Sequence, residues 1–157
     1  MVHSNQMPIA TNSDKIILNS EKDTKEFAKN FLNKVKPNYV VFVYGEMGVG
    51  KTTFIKYLIN GFQKINNLKM TEVTSPTFNL LNVYEINQFK INHYDLFRLK
   101  NSEEVKNLDI FEDLDNTITL IEWPQIIEEK PINLIELNFE YGKDYLTRFV
   151  QIKGINL

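Results

Sequence analysis

Eight consecutive residues carry the clearest chemistry in this sequence. Gly45-Glu46-Met47-Gly48-Val49-Gly50-Lys51-Thr52 fits G-x-x-x-x-G-K-[ST] at every fixed position. Glycines let a backbone curl until successive N–H groups point inward, and a helix opening near Lys51 adds the positive end of its dipole. A polyphosphate would meet donors already in place. The Lys51 ammonium suits the β- and γ-phosphates, and the Thr52 hydroxyl suits Mg²⁺, a hard ion that prefers oxygen. The expected phosphate-binding residues are therefore Glu46, Met47, Gly48, Val49, Gly50, Lys51, Thr52 and Thr53.

Binding phosphate is not cleaving it. Hydrolysis also needs a second magnesium ligand and a carboxylate that orients the attacking water. Two carboxylates qualify. Asp95 ends the run Ile91-Asn92-His93-Tyr94, and Glu122 ends Ile118-Thr119-Leu120-Ile121 before Trp123-Pro124. Open α/β sheets place their ligands at such carboxyl ends of strands. The catalytic candidates are Lys51, Asp95 and Glu122, and the metal candidates are Thr52, Glu122 and Asp95. A turn-capping Asp and a solvated strand-end Glu account for the same two carboxylates equally well. His93 reads as a satisfied structural histidine and Trp123 as core. Thr74-Ser75-Pro76-Thr77 is either an ordinary turn or a switch segment whose hydroxyls reach the γ-phosphate or magnesium and let go after hydrolysis.

The nucleotide class follows from what is missing. A guanine-reading Asn-Lys-x-Asp is absent, because Asn33-Lys34 runs on into Val35-Lys36, so ATP is favoured. A small-molecule kinase using the same loop needs several cations, usually arginines, around donor and acceptor phosphates. Arg98 and Arg148 are the only arginines, which weakens that alternative, although the many lysines keep it open. A module that binds ATP without hydrolysing it is the other alternative.

Positioning these residues requires a sheet flanked by helices. Ser20-Glu21-Lys22-Asp23 resembles a capping box, and Phe27, Ala28, Phe31, Leu32 and Val35 give one apolar helical face running to about Lys36. Pro37 breaks that helix, and Val40 to Tyr44 has the unbroken apolar character of a strand covered on both faces. After the glycine loop, Phe54, Ile55, Leu58, Ile59, Phe62 and Ile65 recur at helical spacing until Asn66-Asn67. Phe78–Ile86 and Phe89–Leu99 are read as a hairpin turning at Asn87-Gln88. Ser102 is read as the cap of a short acidic helix near Glu103–Leu108. Thr117–Glu122 is another strand, and Ile132–Glu140 with Tyr145–Lys153 make a second hairpin about Gly142. The fold class is α/β: a single domain with a mixed sheet flanked by helices, of the kind that carries phosphate loops.

Composition agrees. The 157 residues are 43% hydrophobic and 24% charged, which suits one globular domain and excludes a collagenous or wholly disordered chain. The absence of cysteine rules out disulfides and Cys-based zinc, and fits a reducing cytoplasmic setting. A net charge of -2 gives no sequence-wide basic field, so any contact with RNA would be indirect. Residues 1–13 are polar, without an apolar run that would serve as a signal peptide or membrane span, and read as a flexible amino-terminal arm before a domain over 14–157.

The ordered segments Tyr44 to Thr53, Ser75-Pro76-Thr77-Phe78, His93-Tyr94-Asp95-Leu96-Phe97-Arg98-Leu99 and Leu120-Ile121-Glu122-Trp123-Pro124 resemble TsaE, formerly YjeE. This is the bacterial ATPase family of tRNA threonylcarbamoyladenosine (t6A) synthesis. The likeness spans about residues 15–150. It implies a P-loop fold, slow Mg²⁺-dependent ATP hydrolysis, and partnership with a TsaB–TsaD complex. TsaD places the threonylcarbamoyl group on N6 of adenosine 37 in tRNAs that read codons beginning with A, so tRNA would be met only through that complex. It further implies phosphate and magnesium roles for Lys51 and Thr52, a magnesium-ligand role for Glu122, and motif roles for Asp95 and for Trp123 beside Glu122. Ser75 and Thr77 match the switch, and Thr24 falls where an amino-terminal residue approaches the nucleotide. Met47 stands where the family usually has Leu, and Phe97 where it usually has Tyr. The adenine pocket is not legible.

Overall fold

A computed structural model describes residues 15–155. The arm expected over 1–13, residue 14 and the last two residues lie outside that range. Seven strands form one sheet: β1 (Ile16–Leu18), β2 (Val40–Tyr44), β3 (Leu81–Ile86), β4 (Phe89–Asp95), β5 (Thr117–Glu122), β6 (Leu134–Tyr141) and β7 (Arg148–Lys153). Their spatial order is β1-β7-β6-β2-β5-β4-β3. β2 pairs parallel with β5 and β6, and β4 pairs parallel with β5, while the β3–β4, β6–β7 and β1–β7 pairs are antiparallel. The sheet is therefore mixed, as expected. β1 went unanticipated, being three residues long with Ile16 and Leu18 inward and Ile17 exposed.

Helices α1 (Glu21–Leu32) and α2 (Lys51–Ile65) cover the front face. Their apolar stripes meet the sheet through Phe27, Phe31 and Phe54, which pack with Phe139 of β6; the Phe27–Phe54 and Phe54–Phe139 ring centroids are 5.3 and 5.6 Å apart. Each fully buried phenylalanine contributes roughly 1.5–3 kcal/mol by leaving water. The back face is covered in part by the short α3 (Ser102–Lys106) and two single 3₁₀ turns, which close over Val40, Phe42, Tyr94 and Ile121.

Local chemistry moves several boundaries. Ser20 Oγ accepts from Asp23 N–H at 3.2 Å, but the Asp23 carboxylate closes back on Asn19 N–H, one residue before the cap. α1 stops at Leu32 and not at Lys36; Val35 is buried from the turn that follows. The α3 cap is Asn101, whose side chain accepts from Glu104 N–H at 3.0 Å, and not Ser102. The first hairpin starts at Leu81 because Leu80 takes a positive φ and Phe78 projects into solvent. Its turn is at Asn87, also at positive φ, a conformation asparagine tolerates better than most residues.

Candidate functional site

The parallel register of three strands builds the site. Asp95 and Glu122 are aligned neighbours at the carboxyl ends of β4 and β5, and Glu122 is in turn aligned with Val43 of β2. Alternation along a strand puts Asp95 and His93 on one face of β4, and Glu122 and Leu120 on the same face of β5. That is the face on which α2 lies. The chain leaves β2 through the Gly45–Gly50 loop and enters α2 at Lys51, so loop, helix start and carboxylates converge at one end of the sheet.

Two glycines make the loop possible. A side chain at Gly45 would come within 2.8–2.9 Å of Val49 and of the Phe139 carbonyl, and Gly50, at φ 116°, opens α2 in a conformation that L side chains rarely adopt. Val49 is buried and anchors the loop, Glu46 and Met47 are exposed, and the Met47 carbonyl accepts from the Tyr141 hydroxyl at 3.2 Å.

Lys51 is buried, and its ammonium donates to the loop's own carbonyls, at Gly45 and, at 3.0 Å, at Glu46. It also lies 4.2 Å from the ring centroid of Trp123. Burial pushes the Lys51 pKa down from its ordinary value, with the charges of Glu122, Asp95 and Glu46 pulling it back up. Trp123 packs at the edge of the back-face core and also borders the cleft: it is half-buried in a left-handed backbone conformation, with its ring 5.0 Å from that of Phe97.

The two carboxylates have different surroundings. Glu122 Oε1 accepts from the Thr52 hydroxyl at 3.2 Å, and Oε2 lies 2.7 Å from His93 Nε2 and 3.5 Å from the Ser75 hydroxyl. Asp95 Oδ1 accepts from Phe97 N–H at 2.9 Å, the turn-capping bond of an aspartate. Its Oδ2 accepts from Ser75 and, at 3.4 Å, from Thr77. Asp95 therefore holds the 75–77 segment, while Glu122 faces the start of α2. Arg98 extends the same hold: its guanidinium donates to the Phe78 carbonyl at 2.9 Å and lies over the Phe78 ring.

Met47, Gly48, Gly50, Lys51, Thr52, Thr53, Ser75, Thr77, Asp95, Glu122 and Trp123 thus share one cleft. Thr24 is not in it. It lines an adjoining cleft, with Asn19, Ser20, Leu146 and Arg148, that shares Gly48, Gly50 and Thr53 with the first. The sequence reading missed the part taken by Arg148 and Leu146, which reach the loop only through the pairing of β7 with β1 and β6. It also missed the contact of His93 with Glu122, whose signal is the two-residue spacing that puts positions 93 and 95 on one strand face.

The oxygen donors suit Mg²⁺ held partly by phosphate. Thr52, Glu122 and Asp95 offer a hydroxyl and two carboxylates, and no group of three or more His, Cys, Asp or Glu side chains among the described residues forms an all-protein metal site. No helix among those residues is long and apolar enough to cross a membrane.

Comparison with known proteins agrees with this geometry. The family described as "Threonylcarbamoyl adenosine biosynthesis protein TsaE" matches residues 18–150. The tRNA threonylcarbamoyladenosine biosynthesis protein TsaE of Rickettsia bellii is 46% identical over 129 residues, covering 82% of this chain and 87% of its own. The protein of that name from Aquifex aeolicus is 36% identical over 120 residues, covering 76% of this chain and 82% of its own. Among solved structures, Bacillus subtilus YdiB superposes with a TM-score of 0.65 at 21% identity, covering 96% of this chain and 89% of that one, a likeness of fold.

Proposed function

The chain belongs to the TsaE family, and from that premise we propose that it binds and hydrolyses Mg·ATP in support of t6A formation on tRNA, acting with a TsaB–TsaD type complex. The observation that carries this reading is the facing of Lys51 and Thr52, at the end of the glycine loop, with Glu122 at the carboxyl end of β5.

In this scheme the loop N–H groups and the start of α2 hold the triphosphate, and Lys51 leaves the Gly45 and Glu46 carbonyls to bond phosphate oxygen instead. Thr52 and Glu122, with Asp95 beside them, would hold Mg²⁺, which supplies charge neutralisation at the phosphates. Glu122 orients the attacking water. Asp95 fastens Ser75 and Thr77, so that contact of those hydroxyls with the nucleotide is felt by the exposed Phe78–Arg98 segment. The nucleoside end extends into the adjoining cleft beside Thr24 and Arg148.

The nucleotide acts on partners by shifting a population. Moving a partner-competent state from a small minority to a large majority takes a differential affinity of about 5 kcal/mol. Single-turnover hydrolysis of γ-labelled ATP, with and without a purified TsaB–TsaD pair, tests the proposal. Label released as free phosphate, faster with the pair, is expected. Label on an acceptor molecule, or none released under either condition, contradicts it.

A further inference from the structure

Glu122 is held from behind by a residue that the functional scheme leaves idle. His93 is completely buried on the front face of β4, beside the apolar Ile91 and Leu120. Its Nε2 lies 2.7 Å from Glu122 Oε2, and its Nδ1 has no hydrogen-bond partner. A histidine kept for packing normally satisfies both ring nitrogens. Here the one hydrogen bond the ring makes goes to the carboxylate, and the cross-strand neighbour Asn82 donates instead to the Thr74 carbonyl.

A carboxylate turned toward Mg²⁺ serves as an acceptor, so in the proposed complex the bond would be donated from Nε2 to Oε2. With Oε2 engaged, the carboxylate cannot rotate freely about its last torsion, and Oε1 stays turned to Thr52 at 3.2 Å. The weaker contact with Ser75, at 3.5 Å, comes from the hydroxyl that also bonds Asp95, so it would not hold the plane alone. We propose that His93 is a positioning residue that locks the Glu122 carboxylate with Oε1 facing Thr52. The inference rests on the Mg·ATP reading of the cleft and adds to it a support outside the four sequence segments' assigned roles. Such supports behind a metal-directed group typically contribute 10–100-fold to metal affinity or activity.

The test uses the full-length chain and a non-hydrolysable ATP analogue, whose affinity is measured by calorimetry with and without Mg²⁺. His93→Leu should melt cooperatively and keep its magnesium-free affinity within about threefold, but lose roughly 10–100-fold of the gain that Mg²⁺ confers. His93→Gln can place an amide donor near the Nε2 position and should recover most of the gain; His93→Asn is too short and should not. In a Glu122→Gln background, His93→Leu should add almost nothing. An unchanged magnesium gain in His93→Leu, equal losses in the Gln and Asn variants, or an equal loss of magnesium-free binding would overturn the proposal. Should the Leu variant fail to fold, the Gln and Asn pair decides. Wild-type protein with no magnesium-dependent uptake would instead sink the functional reading itself.

Discussion

Two polar clusters hang from the same sheet, one on each face near the carboxyl end of β2, and they are built on different principles. On the back, Tyr44 donates to Glu136 at 3.1 Å and Lys130 pairs with the same carboxylate at 2.8 Å. On the front, Glu122 and Asp95 gather Thr52, Ser75, Thr77 and His93. The back cluster is rim chemistry, partly exposed, and such pairs contribute roughly 0–1 kcal/mol. The carboxylates and the histidine of the front cluster are buried, and its six members come from four elements: the start of α2, the 75–77 segment, β4 and β5. Burying two carboxylates is costly unless each is bonded, so that arrangement is a poor way to gain stability and a good way to make one site respond to several segments.

The contrast can be broken by mutation, beginning with the loop that the front cluster faces. Lys51→Ala should lower ATP hydrolysis by about 10³-fold or more, since it removes the only loop side chain able to neutralise γ-phosphate charge. Its circular dichroism and cooperative melting should be those of the wild type, and full activity would remove the phosphate-loop assignment. Glu122→Gln should slow single-turnover hydrolysis by about 10³-fold while weakening Mg·ATP binding by a smaller factor, roughly 10–100-fold, as expected for a group that both holds magnesium and orients water. Equal losses in rate and affinity would leave Glu122 only a ligand-binding role.

Ser75→Ala releases the hydroxyl shared by Asp95 and Glu122 and should cost about tenfold in partner-stimulated hydrolysis, with basal hydrolysis less affected. The two rates, measured side by side, decide whether the segment reports to a partner or only supports the carboxylates.

The back cluster supplies the smallest effect. Burial pushes the Glu136 carboxyl up, but hydrogen bonds from Lys130 and Tyr44, with the Lys130 charge, outweigh it and hold the pKa below its ordinary value of 4.5. A lowered pKa means that the unfolded chain binds more protons, so this stabilisation is complete above about pH 4.5 and fades as pH falls through the folded-state value. Glu136→Gln should therefore lose at most about 1 kcal/mol at neutral pH, with the difference from wild type shrinking in acid. Hydrolysis should be unchanged. A large loss of activity in this variant would abolish the distinction between the two faces.

Legibility in the sequence followed the same division. The phosphate loop was readable because its chemistry resides in the backbone, and backbone geometry leaves a local signature: glycines where φ must be positive, then Lys-Thr where α2 begins. α2 was readable to its last turn because its apolar spacing never lapses. Asp95 and Glu122 were readable as strand ends, but not as neighbours, because their alignment depends on the parallel pairing of β4 with β5, decided far from either residue. Asp95 shows the turn-capping bond, from Phe97 N–H to Oδ1, while its Oδ2 takes the 75–77 hydroxyls, a contact that its place in the sequence did not announce. Trp123 reads as core, and it does pack at the core's edge; that it also borders the cleft was not legible, because nothing local announces a left-handed turn there. β1 escaped notice because three residues are too few to show alternation, and its partner β7 lies at the other end of the chain.

The central claim is that one cleft, formed by the Gly45–Thr52 loop and the carboxyl ends of β4 and β5, takes up ATP with magnesium. Calorimetric titration of ATP into the wild type and Lys51→Ala, each with and without Mg²⁺, tests it most directly. Magnesium-strengthened binding to the wild type, lost in the folded variant, is the predicted result. Absence of uptake by well-folded wild-type protein, or equal uptake by both, would contradict the account.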